Sequence, residues 1–431
     1  MTKPTSSQAS GLGSSEQYRD VPDRVAWPAV YSLALGAFGL VTAELLPISL
    51  LTPMAEDLGV SNGAIGQTMT VAALAAAIAG PVLILGSGRL NRRVVLWILL
   101  GLLVISSAIT ALATDMAFLL LARALLGFAV GGFWAMLTML ALRLAPPHQV
   151  PRAMAVIMMG ISVGTTVSTP LGAMLGDLFG WRVTFLLTAG LGIVTLAIQL
   201  FTLPSLPATV APSVRSFTTV LARPRVLVGF ATMLLGVSGH LAAFTFIRPF
   251  LETTPQLNVS TISLALFAYG GGGFIGNLVW GAIAARSPAI ATASSTSGVA
   301  LSILALMTAG THPGVAFAAT ALWGFAFGGF PVSAAIWNAR ATPETDLAES
   351  SGALHSTVFH VALGTGGAVG GILIDGVGSQ GLLLYAAIVL MTATLLMLTL
   401  GRSRWISGGQ QRLSAALSNK QSAKDAGRPL E

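Results

Sequence analysis

The stretch Arg123-Ala-Leu-Leu-Gly-Phe-Ala-Val-Gly-Gly-Phe-Trp-Ala-Met136 sets one guanidinium into an apolar run and follows it with glycines at 127, 131 and 132. An arginine at mid-membrane depth costs from about 2.5 to well over 10 kcal/mol, so it normally faces a protein interior or a wet cavity and marks a functional position. Glycines four apart keep one helix face bare and let a neighbouring helix approach closely. The stretch therefore predicts a membrane helix that faces protein rather than lipid.

The pattern occurs twice. Gly127-Phe-Ala-Val-Gly-Gly-Phe133 returns 197 residues later as Gly324-Phe-Ala-Phe-Gly-Gly-Phe330, and Arg89 maps at the same offset onto Arg286. At an offset of 198, Asp177 and Gly180 map onto Asp375 and Gly378. Arg123 itself maps onto Thr320, so the second copy keeps the packing residues and drops the charge. A duplicated all-α chain is expected, two six-helix bundles in parallel repeat.

Composition excludes most other classes. Of 431 residues 54% are hydrophobic and only 9% charged, with a mean hydropathy of +0.81, which does not describe a water-soluble globule. Lipid offers no partner to an open backbone, so the spans must be helices, and the short alternating segments of an outer-membrane barrel do not occur. The three lysines all lie in the terminal tails, so no Gly-x-x-x-x-Gly-Lys-Ser/Thr phosphate loop exists. The run Gly270 to Gly273 lies within a span with no strand before it and reads as a packing or hinge element. The absence of cysteine removes disulfides and thiolate metal sites. No clustered nucleophile, metal set or acid pair supports an enzyme, and neither metal nor cofactor is expected. The net charge of +7 is scattered between apolar runs, which suits a membrane surface better than nucleic acid.

Residues 1–26 and 401–431 read as polar cytoplasmic tails, the first of them disordered, and 204–225, opening with Leu203-Pro-Ser-Leu-Pro207, as the cytoplasmic link between bundles at 27–203 and 226–400. Twelve runs long enough to cross about 30 Å of hydrocarbon are expected. They fall near 28–52, 64–86, 94–113, 116–142, 153–176, 183–203, 226–249, 262–285, 289–310, 315–338, 351–374 and 381–400. With the amino terminus inside, only Arg182 and Arg248 of the 22 basic residues lie outside and Arg123 lies within the membrane. The positive-inside rule thus puts both termini in the cytoplasm.

Glu44 lies about eight residues before the outer end of span one and Arg123 about seven after the outer start of span four. At ~1.5 Å per residue both sit ~10 to 12 Å below the outer surface and can face each other across the first bundle. Desolvation and a nearby cation act in opposite directions on a carboxyl, so such a pair is either a proton or substrate-coupled site or a fixed structural ion pair. His240 on span seven falls at the same depth, within one residue of the repeat equivalent of Glu44, and reads as a cavity donor, a proton relay, or a histidine bonded to a carbonyl. His355 and His360, five apart, point about 140° away from each other and do not form a two-histidine metal site. Phe133, Trp134, Phe244, Phe246, Tyr269, Trp280 and Trp323 offer faces for a flat ligand or simply pack. Asn277 and Gln67 can read a polar ligand or bond between helices.

Twelve spans in two repeats, Arg123-x-x-x-Gly127 on span four, and Pro170-Leu-Gly172 followed by Gly-Trp-Arg182 together resemble the major facilitator superfamily, in particular its proton-coupled drug and metabolite exporters. The resemblance covers residues ~28 to 400. It implies proton coupling by Arg123 and the span-one acid in Thr42-Ala-Glu44, and an antiporter-type motif on span five carried by Gly164, Pro170 and Gly172. In the family's loop after span two an acid stands where this chain has Gly88. Leu46-Pro-Ile-Ser-Leu-Leu-Thr-Pro-Met-Ala55, Pro146-Pro-His-Gln-Val-Pro151 and Phe244-Thr-Phe-Ile-Arg-Pro249 resemble the family's bacterial exporters of purine ribonucleosides. This implies an inner-membrane antiporter that exchanges protons for a small-molecule substrate such as inosine or guanosine. Sugar or chloramphenicol-type drug efflux is the alternative. A monomer in membrane lipid is expected.

Overall fold

A computed structural model describes residues 24–86, 90–206, 214–343 and 347–401. Gly88, Arg89, most of both tails and residues 207–213 of the link lie outside the described residues. The first half holds α1 (Trp27–Leu58), α2 (Asn62–Gly86), α3 (Arg92–Leu112), α4 (Met116–Leu144), α5 (Val150–Phe179) and α6 (Trp181–Thr202). A short α7 (Val214–Leu221) falls in the link. The second half holds α8 (Pro224–Phe244), α9 (Ile247–Thr253), α10 (Val259–Ala284), α11 (Pro288–Ala309), α12 (Pro313–Ala341) and α13 (Ala348–Thr399).

Among the described residues 11 helices are long and apolar enough to cross a membrane, against twelve expected spans. The difference lies in the last, α13, whose apolar stretch covers the 50 residues Ser350–Thr399. That is more than twice the length a bilayer needs. Gly378, at φ 70° and ψ −174°, turns the chain in its middle, so it holds two spans. Its repeat equivalent Gly180 turns the chain between α5 and α6 at φ 83°. Both positions need a backbone conformation that glycine adopts without strain. The expected seventh span is instead broken after Phe244. Pro249 has no N–H for the Thr245 carbonyl, so the helix stops and restarts as α9 with the proline in its first turn, where it is tolerated. Just before α1, the Ala26 N–H donates to the Leu144 carbonyl at 2.9 Å.

Within the first half α1 packs on α5, α2 on α4, and α3 on α4 and α6. Within the second, α8 packs on α13, α10 on α12, and α11 on α12 and α13. The repeated glycines set these contacts. A Cβ on Gly127 or Gly131 would run into the backbone of Ala72 or Ala76 on α2; one on Gly324 or Gly328 would run into Tyr269 or Gly273 on α10. Ala72 and Tyr269, and Ala76 and Gly273, are also 197 residues apart, so the duplication extends to the partner of each glycine. The halves meet along α2 against α13 and α5 against α10.

Candidate functional site between the halves

Arg123, 1% exposed, projects from α4 towards α1. Its Nη1 donates to the Ala43 carbonyl at 2.8 Å, and its Cζ lies 4.9 Å from the centre of the Phe185 ring. The acceptor is explained by the sequence of α1. Pro47 stands four residues after Ala43 and has no N–H, so the helical bond to that carbonyl cannot form and Arg123 supplies the missing donor. Nε and Nη2 of Arg123 are buried without a hydrogen-bond partner. Glu44, the residue after the acceptor, is half-buried and forms no direct ion pair with Arg123. The two lie on α1 and α4, and the hydrogen-bond partner of Arg123 is the backbone of the residue before Glu44; the duty of Arg123 towards the proline-interrupted helix was missed in the sequence. Its signal was the four-residue spacing from Ala43 to Pro47.

The second half carries an aromatic group centred on His240, which is buried on α8. Phe327 stacks on the imidazole at 3.4 Å between centres, Phe244 lies 5.2 Å away, and Tyr269 stacks on Phe244 at 4.3 Å. Trp323 stands edge-on to His240 and Phe244. The hydrogen bonds fix a direction. The Trp323 indole N–H, which can only donate, lies 2.9 Å from His240 Nδ1, so Nδ1 accepts and the imidazole proton is on Nε2. Nε2 is 3.5 Å from the Tyr269 hydroxyl, to which it donates, leaving the phenolic hydrogen for another acceptor. A second proton on His240 would break the tryptophan bond. Of the three readings open for His240, this arrangement favours the donor held in place over the relay. Phe327 went unnoticed in the sequence; it lies four residues after Trp323, on the same face of α12.

This group reaches the first half. Ile48 and Met69 join the apolar cluster that contains Phe244 and Tyr269, with Leu45 packed against it. Ile48 is one helical turn from Glu44, so the carboxyl and the aromatic group lie at neighbouring levels of the seam. The other candidates are not gathered there. Phe133 is buried in the leucine-rich core of the first half and Trp134 packs against that core. Asn277 is exposed on α10, about two turns beyond Tyr269, and makes none of these contacts. Gln67 Nε2 donates to the Ala368 carbonyl across the seam at 3.4 Å. The span-five motif serves packing: a Cβ on Gly164 would press on Val41, one on Gly172 would press on Leu46 and Ser49, and Pro170 is buried within α5. His360 Nδ1 pairs with the Ser356 carbonyl at 2.8 Å, and His355 is not part of the aromatic group.

Residues 33–258 match the family model of the Major Facilitator Superfamily. The chain is 36% identical over 377 residues to the purine ribonucleoside efflux pump NepI of Escherichia coli O157:H7, a match covering 87% of this chain and 95% of the relative. The same pump of Escherichia coli strain K12 is also 36% identical over 377 residues. A bacterial homologue of the human lysosomal transporter Spinster, in an inward-facing and occupied conformation, superposes with a TM-score of 0.70 at 17% identity, covering 86% of this chain and 96% of that one. Two repeated bundles meeting along a seam lined by an aromatic group, together with these matches, identify the chain as a member of the major facilitator superfamily, a multi-pass membrane transporter rather than an enzyme.

Proposed function

We propose that this transporter exports purine ribonucleosides such as inosine and guanosine from the bacterial cytoplasm by proton antiport, as a monomer in the inner membrane with both termini inside. The observation that carries the substrate reading is the aromatic group around His240. Flat rings for stacking and one phenolic hydrogen held free by the Trp323–His240 chain suit a neutral heteroaromatic base with acceptors on its edge. The name of the relatives points to the same substrates.

Coupling is assigned to Glu44 and Arg123. Protonation of Glu44 removes the negative charge beside a guanidinium that otherwise has the Ala43 carbonyl and the Phe185 ring. It thereby alters how α1 and α4 are held at the level of the seam. One proton moving down 100 mV supplies ~2.3 kcal/mol, enough for a gradient on the order of 45-fold in a neutral substrate. The test is release of inosine and guanosine from loaded cells expressing the chain, with and without a proton uncoupler, compared with Glu44→Gln. Export above the empty-vector control that stops with uncoupler is expected, and Glu44→Gln should leave only downhill exchange. If Glu44→Gln pumps uphill with normal uncoupler sensitivity, the coupling assignment is wrong. Folded protein that exports no nucleoside moves the substrate to sugars or chloramphenicol-type drugs.

A further inference from the structure

At the end of the seam where α1 stops and α2 starts, two side chains of the second half complete unsatisfied backbone in the first. In α1, Pro53 has no N–H, so the carbonyl of Ser49, four residues earlier, loses its helical donor. Arg248, 6% exposed in the first turn of α9, donates from Nη1 to that carbonyl. Its Nε is bound by Glu252 at 2.7 Å, and the other Glu252 oxygen accepts the Thr52 hydroxyl at 2.7 Å. The second contact is at the start of α2. Asp375 of α13 accepts the Ser61 hydroxyl at 2.6 Å and the Gly63 N–H at 3.2 Å, putting a carboxylate at a helix N-terminus whose first donors have no partner within the helix.

Arg123 supplies a useful contrast. It does for Pro47 and Ala43 what Arg248 does for Pro53 and Ser49, but it belongs to the same half as its acceptor. Its bond can persist when the halves move. The Arg248 bond and both Asp375 bonds cross the seam and exist only while this end is closed. We propose that Arg248 and Asp375 are the gating residues at this end: each holds the halves together by capping a backbone defect of the first half, and each must let go once per transport cycle. This rests on the chain being a two-bundle transporter and is independent of its substrate.

A bond of a charged donor to a backbone acceptor is strong enough that its loss shifts a two-state equilibrium on the order of tenfold. The chain has no cysteine, so a single Met69→Cys reporter on α2, inward from Gly63, can be labelled without background. A membrane-impermeant maleimide is applied to intact cells and, separately, to inverted vesicles, which makes the result independent of the side of the membrane on which the termini lie. Arg248→Gln is expected to raise the rate from the gate side about tenfold and to lower it from the other. Pro53→Ala restores an N–H for the Ser49 carbonyl, so adding Arg248→Gln to it should change the rate by less than about twofold. Unchanged rates on both sides in Arg248→Gln, or an equal increase with Pro53→Ala present, would overturn the proposal. Should Arg248→Gln not fold, Asp375→Asn, which keeps shape and an acceptor, must still raise the gate-side rate by several-fold; no rise counts against the gate.

Discussion

Arg123 and Tyr269 are held in different ways. Arg123 is held by a backbone carbonyl that a proline leaves free, while Tyr269 is held through His240 by a tryptophan that can only donate. Tyr269→Phe keeps the stacked ring and removes the one hydrogen the chain leaves free. It should raise KM for inosine several-fold, about 1 kcal/mol, with little change in maximal export. Trp323→Phe should reproduce part of that rise by releasing the imidazole tautomer, and transport kinetics in proteoliposomes measure both. An equal fall in maximal export with KM unchanged would assign the tyrosine to packing instead. The buried Arg123 was legible in the sequence, because an ionisable residue in an apolar run stands out from its neighbours. The aromatic group was not legible as a group, since its members come from α8, α10 and α12 and aromatic residues are common in spans.

Among elements, the repeated glycines carry the arrangement. Gly131 faces the Ala76 backbone, and backbone cannot rotate away as a side-chain tip can. Gly131→Ala should force α2 and α4 apart and cost about 1 to 3 kcal/mol of stability. Gly101, around which a Cβ would meet nothing within 4 Å, serves as the control and should accept alanine without loss. Thermal unfolding of the two purified variants checks the contrast; equal stabilities would mean that the α2–α4 contact is looser than its geometry. The duplication makes the bare glycine faces readable in the amino-acid sequence alone, because glycines at fixed spacing recur 197 residues later; the helices they pack on were not readable there. The break between α8 and α9 was not foreseen, although Pro249 is its cause. A proline near the end of an apolar run can kink, end or restart a helix, and hydropathy alone does not distinguish these.

For the whole molecule, the seam is closed at the Asp375 end by contacts between halves. On the cysteine-free chain, Ser61→Cys with Asp375→Cys should be bridged by a short bifunctional methanethiosulfonate, which joins each thiol through a disulfide, and bridging should stop export until a reductant restores it. Export that continues in fully bridged protein would argue against relative motion of the halves. Length, hydropathy and the 197-residue repeat by themselves determined an all-α membrane protein of two like halves, and the sequence singled out Arg123 as a charge inside an apolar span. They could do so because spanning lipid admits few backbone solutions and because periodicity is a property of the chain alone. Tertiary structure decided which carbonyls Arg123 and Arg248 complete, which aromatics meet at His240, and that Phe133 belongs to a core instead of to the site. Those facts depend on the rotation of each helix about its axis and on which helices become neighbours, and the helices that meet are far apart in the chain.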